Sequence, residues 1–568
     1  MIPPIIDAYT GFCGCISWPV EKVQSGIHFL APSGPPRSSI KENMLTQLLL
    51  PRQERCSLPQ PAEREHLLLA GILFAVSDPV HLVRQIARCL KDARYHDLPA
   101  GEYCGCFVSP YQIWFWKTGT CNETIFYTRR PEQLSWSTDP GDLAASEPLS
   151  LNVLLQCCAG EDAFLYQGIE RVQAGTVVTF QSAGRKDIQP LDQIAPRPRP
   201  QQVSLPELAD RCRNVLLDAT RPIARSQGPV GILLSGGIDS AAIAAALRQH
   251  GVEMIAYHFL SSHAAADESA YAQATCQALS LPLVKIKVDT DAHYLSRAWC
   301  FPHPYGHPAY RWMEQAAEQA CRDGISLLVT GRGGDLAFGP LRSYGLSDIF
   351  SAPIKVGEKL AMTLGAISTD WLLPDLLQSL RPSISLISES SLVSMAVPSS
   401  PAIPFFRQQP IKQDVDIFDP MRFSPQDLVL EKTLWQPKGI RVVHPFFSPV
   451  IQHFSQSIPT AYRLLPMQGM KVTKPILRLA WAGILPPAVL RFRRRTWVSV
   501  PHQEYCIHCA SDLAQLLGSK SAHVVQLGIV DPIKVHEVLS RVRDIRAWYD
   551  VLIATAMTEL FLASREIH

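Results

Sequence analysis

The sequence predicts a molecule in two parts: a β-rich unit over residues 1–190, and an α/β unit over residues 205–568 built on a doubly wound parallel sheet with a helical C-terminal part. Three observations carry this reading. Beyond residue 205, short apolar runs alternate with helix-forming stretches, the pattern of strands and crossover helices in a parallel sheet. Before residue 190, apolar or alternating runs at 112–116, 124–128 and 175–180 read as strands, with helices expected only at 80–92 and 151–159. Between the two, Pro190, Pro196, Pro198 and Pro200 stand among polar residues, a linker composition that places the joint at 191–204.

With 568 residues the chain is too long for a single core. Lys plus Arg total 53 and Asp plus Glu 51, a balance that argues against nucleic acid as the main partner. No run of about 18 apolar residues occurs, so no membrane span is expected. The start lacks a basic segment followed by an apolar core, so no secretory signal is expected, and the 15 cysteines are read as reduced thiols in a cytoplasmic protein. Cys13 with Cys15, and Cys104 with Cys106, have the two-residue period of strand neighbours on one face. Cys506 and Cys509 are spaced like zinc ligands, but no second pair follows at the usual distance, which favours a structural cluster.

The α/β unit opens with a helix expected over 206–220. The apolar run 229–234 then leads into Ser235-Gly236-Gly237-Ile238-Asp239-Ser240, and an alanine-rich helix follows. Gly236 and Gly237 allow close backbone approach to a ligand, Ser235 and Ser240 add hydroxyls, and the helix N-terminus favours an anion. Together they suit a pyrophosphate. The loop is not a Walker A sequence, because no Gly-Lys-[Ser/Thr] follows. Asp239 repels phosphate unless it holds magnesium that bridges to it; the competing reading is a plain glycine turn capped by Asp239 or Ser240. Residues 254–259 and 281–288 read as further strands around a helix at 269–279, and a helix at 308–322 leads to a strand at 325–329. Asp267 and Glu268 suit the start of the 269–279 helix as well as they suit a functional role. Residues 382–412, rich in Ser and Pro, read as a loop or insertion, and from 430 on the chain reads as helical.

The loop resembles the Ser-Gly-Gly-x-Asp-Ser segment of ATP pyrophosphatases. Gly331-Arg332-Gly333-Gly334-Asp335-Leu336-Ala337-Phe338 resembles the Gly-x-Gly-Gly-Asp-x-x-Phe segment of the asparagine synthetase family. The resemblance extends through Lys471-Val472-Thr473-Lys474-Pro475-Ile476-Leu477-Arg478 and Leu485-Pro486-Pro487-Ala488-Val489-Leu490-Arg491-Phe492-Arg493-Arg494. It implies ATP and magnesium as cofactors, with Asp239 and Asp335 on the metal. It implies ATP-binding roles for Leu234, Ser235, Gly236, Gly237, Ser240, Phe259, Thr330, Gly331, Gly333 and Gly334, and catalytic roles for Asp239, Asp335, Lys474 and Arg494. Glu268 and Arg478 are weaker candidates. Arg494 falls where the family carries a catalytic Lys, and Trp497 on its aromatic; a solvated basic helix end or RNA patch is the alternative for this run. His444-Pro445-Phe446-Phe447-Ser448 resembles Pro-Phe-Leu-Asp, with Ser448 in place of Asp.

The first unit is similar to the family's glutaminase-like β-sandwich domain, of the N-terminal nucleophile hydrolase type, at 100–107, 125–129, 134–139 and 168–175. It departs where the chemistry sits. Cys13 lies inside the chain, whereas the glutaminase needs Cys as its first mature residue. The Asn-Gly-Glu stretch is replaced by apolar residues 70–75. A degenerate domain without glutaminase activity is expected, so the attacking amine must come with the substrate. Arg332 stands where asparagine synthetases carry Glu and the β-lactam-forming branch carries Tyr. The chain therefore resembles most a lasso peptide cyclase, which closes a macrolactam between an Asp or Glu side chain and the N-terminal amine of a precursor peptide. A leader-peptide protease and a leader-binding protein are its expected partners. The alternatives are an ammonia-dependent asparagine synthetase, a small-molecule β-lactam-type synthetase, and a non-catalytic peptide-binding scaffold.

Overall fold

The computed structural model describes residues 6–8 and 13–17, most of 66–191 and 204–287, 303–304, 310–339, 356–360 in part, 402–408, 425–467, 470–491 and 499–565. The described strands before residue 191 are β1 (Ile6–Ala8), β2 (Cys13–Ser17), β3 (His66–Leu73), β4 (Gly101–Val108), β5 (Gln112–Lys117), β6 (Phe126–Arg130), β7 (Gln133–Ser137), β8 (Glu170–Arg171), β9 (Thr176–Gln181) and β10 (Lys186–Pro190). They form a six-stranded sheet, β1-β3-β4-β5-β9-β10, and a four-stranded sheet, β2-β7-β6-β8, with antiparallel pairing throughout.

Strand β5 shows why these residues make a layered β unit. Its side chains alternate between two cores, as the period of two requires. Ile113 and Phe115 join Tyr127 and Trp136 of the four-stranded sheet, with Phe115 ring centroids 5.8 Å and 5.5 Å from those two rings. Trp114 and Trp116 face the opposite way, onto Leu82, Ile86 and Leu90 of helix α1 (Pro79–Lys91). Cys104 and Cys106 lie together in the first of these cores, fully buried, as their spacing predicts.

A five-stranded sheet follows. Its strands are β11 (Val230–Leu233), β12 (Met254–Leu260), β13 (Leu283–Lys287), β14 (Leu327–Thr330) and β15 (Arg441–Val443), in the order β13-β12-β11-β14-β15, and every pair is parallel. One face packs on helices α2 (Leu205–Thr220), α3 (Ile238–Gln249) and α4 (Ser269–Leu279). The other packs on α5 (Tyr310–Arg322) and on the turn at Leu434 and Trp435. Residues 241–247 of α3 are all fully buried, and the small alanine side chains let that helix lie close against the sheet.

The strand order positions the site. The chain runs outward from β11 through β12 to β13, then crosses to the far side of β11 to lay down β14. The loops after β11 and β14 therefore leave adjacent strands at the point where the winding reverses, where open α/β sheets hold their ligands. Leu233 pairs with Thr330, so the two loops start at the same level.

One expectation for the later chain is corrected. The region after 430 is not helical throughout: β15 completes the sheet, and β16 (Leu464–Met467) pairs antiparallel with β17 (Met470–Thr473). These strands are too short to show a period; pairing with a neighbour makes them strands. The end of the 382–412 stretch is anchored, because Ile403, Phe405 and Phe406 are buried and the Arg407 N–H donates to the Ile529 carbonyl at 2.9 Å. The rest of that stretch, and residues 192–203 of the expected linker, lie outside the described residues.

The C-terminal helices share a core with the first unit. Val153, Leu154, Leu155, Cys157 and Cys158 of the helix Leu151–Cys158 pack with Leu552, Ile553 and Ala556 of the final helix, Val542–Arg565. Thr555 Oγ1 donates to the Cys158 carbonyl at 3.1 Å. Cys506 is buried in the same core. Among the described residues no helix is long and apolar enough to cross a membrane.

Candidate active site

The loop after β11 is wired internally. The Leu234 N–H donates to the Tyr257 carbonyl at 2.8 Å, which continues the sheet pairing by one residue. Ser240 Oγ accepts from the Ser235 N–H at 3.2 Å and lies 3.1 Å from Ser235 Oγ, which takes the Gly237 N–H at 3.3 Å. The two hydroxyls thus close the turn on itself. Gly236 has φ +95, and a β-carbon there would stand 2.9 Å from the Glu268 carbonyl oxygen, so both conformation and space require glycine. Gly237 precedes α3 with no side-chain cap on the helix.

The segment after β14 packs directly onto this loop. A β-carbon on Gly331 would lie 2.5 Å from Ser240 N, and one on Gly334 would lie 2.4 Å from Asp239 Cγ. Gly333 has φ +89 and faces the Phe447 ring. This close approach brings Asp335, in the short helix α6 (Gly334–Phe338), beside Asp239 in the first turn of α3.

Lys474 joins the two. Its Nζ donates to Asp239 Oδ2 and lies 2.7 Å from Asp335 Oδ1. Lys474 is buried, Asp335 almost fully exposed, and Asp239 in between at 20 % exposure. Burial pushes the Asp239 carboxyl above its ordinary range, and the Lys474 ammonium opposes that shift. Asp239 Oδ1 is buried and has no hydrogen-bond partner among the described residues. The site therefore sets two carboxylates side by side, one with an oxygen that has no partner among the described residues, an oxygen donor set that magnesium takes together with phosphate oxygens.

Residues 211–563 match the family model of asparagine synthase. The chain belongs to the asparagine synthase family. Residues 211–563 are accordingly an ATP-dependent ligase domain of asparagine-synthetase type. No curated protein matches the chain in sequence. Among solved structures, the glutamine phosphoribosylpyrophosphate amidotransferase of B. subtilis, complexed with ADP and GMP, is 12 % identical with a TM-score of 0.16, over 59 % of this chain and 59 % of that one. The allosteric regulatory enzyme of purine biosynthesis is 12 % identical with a TM-score of 0.17, over 52 % of this chain and 58 % of that one. The chain thus spans less than two thirds of either structure.

The remaining residues that the family resemblance singles out are placed differently. Phe259 is half-buried at the end of β12 and packs on Trp312, with ring centroids 6.0 Å apart. Glu268 meets Gly236 through its backbone carbonyl, and Asp267 Oδ1 caps the following helix by accepting from Ser269 N at 2.9 Å. Thr330 is engaged away from the loop: its Oγ1 accepts from Arg332 N at 3.2 Å and lies 2.6 Å from His444 Nδ1. Arg478 does not reach the carboxylates. Its guanidinium donates to the carbonyls of Thr473 at 2.8 Å, Val489 at 3.2 Å and Leu490 at 2.8 Å. It thereby straps the turn bearing Lys474 to the end of the helix Pro487–Leu490, from which the arginine run departs. Arg494 and Trp497 lie outside the described residues.

Sequence reasoning missed three supporting residues. Arg463 is buried and donates to the carbonyls of Ala337 at 2.8 Å, Gly339 at 3.3 Å and Ser455 at 2.7 Å, so it carries the end of α6; burial lowers its pKa to about 10. Its own carbonyl accepts from Lys474 N at 3.2 Å, because the β16–β17 hairpin sets the two residues opposite each other. His444 is fully buried, and its pKa is lowered to about 3 by burial and, secondarily, by the Arg332 charge. Asp427 forms an ion pair with Arg332, whose guanidinium sits 6.0 Å from the Phe447 ring centroid. Neither Arg463 nor Asp427 carries a signal in the sequence, because their partners are fixed only by the fold.

Proposed function

We propose that this enzyme forms an amide bond through an acyl-adenylate and closes a macrolactam in a lasso precursor peptide. The observation that carries the ATP half of this reading is the meeting of Asp239, Asp335 and Lys474 beside the Ser235–Ser240 loop. The apolar residues at 70–75, in place of an Asn-Gly-Glu stretch, support an amine supplied by the substrate rather than by glutamine.

The amides of the loop and of the α3 N-terminus would hold the phosphates of ATP. Asp239 and Asp335 would hold magnesium, which when bound supplies charge neutralisation across the phosphates. The substrate carboxylate oxygen attacks the α-phosphorus, the bond from that phosphorus to the bridging oxygen breaks, and pyrophosphate leaves. The Lys474 ammonium and Arg494 would face the developing charge. The peptide's N-terminal amine then attacks the acyl carbon, AMP leaves, and the amine proton passes to solvent or a base. Holding amine and adenylate on one chain makes the second step local. A leader-peptide protease and a leader-binding protein would act beside the enzyme in the cytoplasm.

The test is ATP–pyrophosphate exchange and product mass with a candidate precursor peptide. Peptide-dependent exchange and a product lighter by one water are expected, with Asp239→Asn and Asp335→Asn each abolishing both while remaining folded. Asparagine made from aspartate and ammonia, with no change in any peptide, would overturn the cyclase reading and leave the ATP site standing. Folded protein with no exchange on any carboxylate substrate would favour a binding scaffold.

A further inference from the structure

The three charged groups at the site are arranged so that one of them stands where a metal would. Lys474 Nζ contacts Asp239 Oδ2 and lies 2.7 Å from Asp335 Oδ1. A magnesium ion bound to the same two oxygens at about 2.1 Å would overlap the ammonium group. The two cations therefore exclude each other from this pair. The backbone does not let Lys474 retreat as a whole. Lys474 sits at φ 55, ψ 46, a left-handed conformation that is uncommon for a residue with a side chain. It is clamped there by its N–H on the Arg463 carbonyl at 3.2 Å and by its own carbonyl accepting from Arg478 N at 3.1 Å. Pro475 follows at the first helical position. Only the four-carbon stem is left to move the charge.

We propose that Lys474 is the built-in counter-cation of the Asp239–Asp335 pair: it excludes a free divalent ion, and the ion enters only with a nucleoside triphosphate whose phosphates draw the ammonium off the carboxylates. This rests on the reading of that pair as metal ligands. Asp239 Oδ1 is buried against Gly334 and has no hydrogen-bond partner among the described residues, so Lys474 on Oδ2 is the cation in contact with that carboxylate until the ion replaces it. The consequence is ordered loading. The carboxylate pair is never left without a cation, first lysine and then metal, and the ammonium is delivered to the phosphates by the event that admits the ion.

The experiment is Mn2+ binding followed by electron paramagnetic resonance of the free ion, on full-length protein, with and without α,β-methylene-ATP. Wild type should bind Mn2+ weakly alone and at least roughly tenfold tighter with the analogue. Lys474→Met and Lys474→Gln, checked for fold by circular dichroism, should bind Mn2+ without the analogue, and Asp239→Asn added to either should abolish this. Lys474→Arg should still exclude the free ion. Equal Mn2+ affinity of wild type with and without the analogue overturns the inference whatever the variants do. If the analogue tightens Mn2+ in wild type in an Asp239-dependent way but neither neutral variant gains affinity, the metal pair stands and the lysine exclusion falls. Absence of Asp239-dependent Mn2+ binding in every protein overturns the metal pair itself, and this inference with it.

Discussion

Gly334 lies against the Asp239 carboxyl group so closely that a β-carbon on it would stand 2.4 Å from Asp239 Cγ. The two residues are separated by most of the parallel sheet's sequence, yet one has no side chain because the other needs the space. Real β-carbons essentially never approach so near a neighbour, so a methyl group at 334 must move Asp239 or the helix that carries Asp335.

Gly331→Ala and Gly334→Ala should therefore damage catalysis before stability. The Gly331 methyl would press on Ser240 N at 2.5 Å. A displacement on the order of 1 Å at a reacting site costs roughly a hundredfold in rate. We expect that loss in ATP–pyrophosphate exchange for each variant. Gly357→Ala, where nothing lies within 4 Å of the added carbon, is the control and should exchange normally. Wild-type rates in both motif variants would mean that the two loops are not held at this distance during turnover.

Arg463→Met should be among the most destabilising single changes in the synthetase half. It removes a buried cation from the carbonyls of Ala337, Gly339 and Ser455; the Ala337 carbonyl keeps the Ser455 hydroxyl at 2.7 Å, and the other two lose the Arg463 donor. A buried acceptor left without its donor costs about 1–3 kcal/mol. The readout is the urea midpoint, together with exchange activity in the folded fraction. Because the Arg463 carbonyl also receives the Lys474 N–H, the residual activity should fall further than the stability loss explains.

His444 gives the fold a pH dependence with a definite sign. Its pKa is lowered from 6.5 to about 3 by burial, so the folded state keeps it neutral while an unfolded chain protonates it near pH 6.5. Stability from this residue is present above pH 6.5 and is lost as the pH falls from there toward about 3, at about 1.4 kcal/mol for each pH unit. Thr330 Oγ1 accepts from Arg332 N, so its hydroxyl hydrogen is left to donate to His444 Nδ1, which agrees with a neutral ring. His444→Gln should be less stable than wild type at pH 7.5 and should lose stability less steeply down to pH 5. Parallel thermal-denaturation curves across that range would remove His444 as the source.

The sequence by itself determined the α/β character of the synthetase half, the two glycine-rich segments and the residues that hold them. The central parallel strands β11 and β14 are largely buried and read as plain apolar runs, and α4 occupies Ser269–Leu279, the range its composition predicts. Glycines at 236, 331, 333 and 334 were legible because a turn that must approach another backbone tolerates no side chain. What only the tertiary structure decided concerns partners far apart along the chain. Lys474 reaches Asp239 across 235 residues, and His444 reaches Thr330 across 114. Arg463 serves carbonyls that carry no sequence signature, since every residue has one. The three-residue strand Arg441–Val443 exists as a strand because β14 offers it an edge. The helix Leu151–Cys158 packs with the final helix although the proline-rich stretch marks a boundary between them. Periodicity and turn chemistry are local and survive in one dimension; the pairing of a buried charge or an edge strand depends on which surfaces the folded chain brings together.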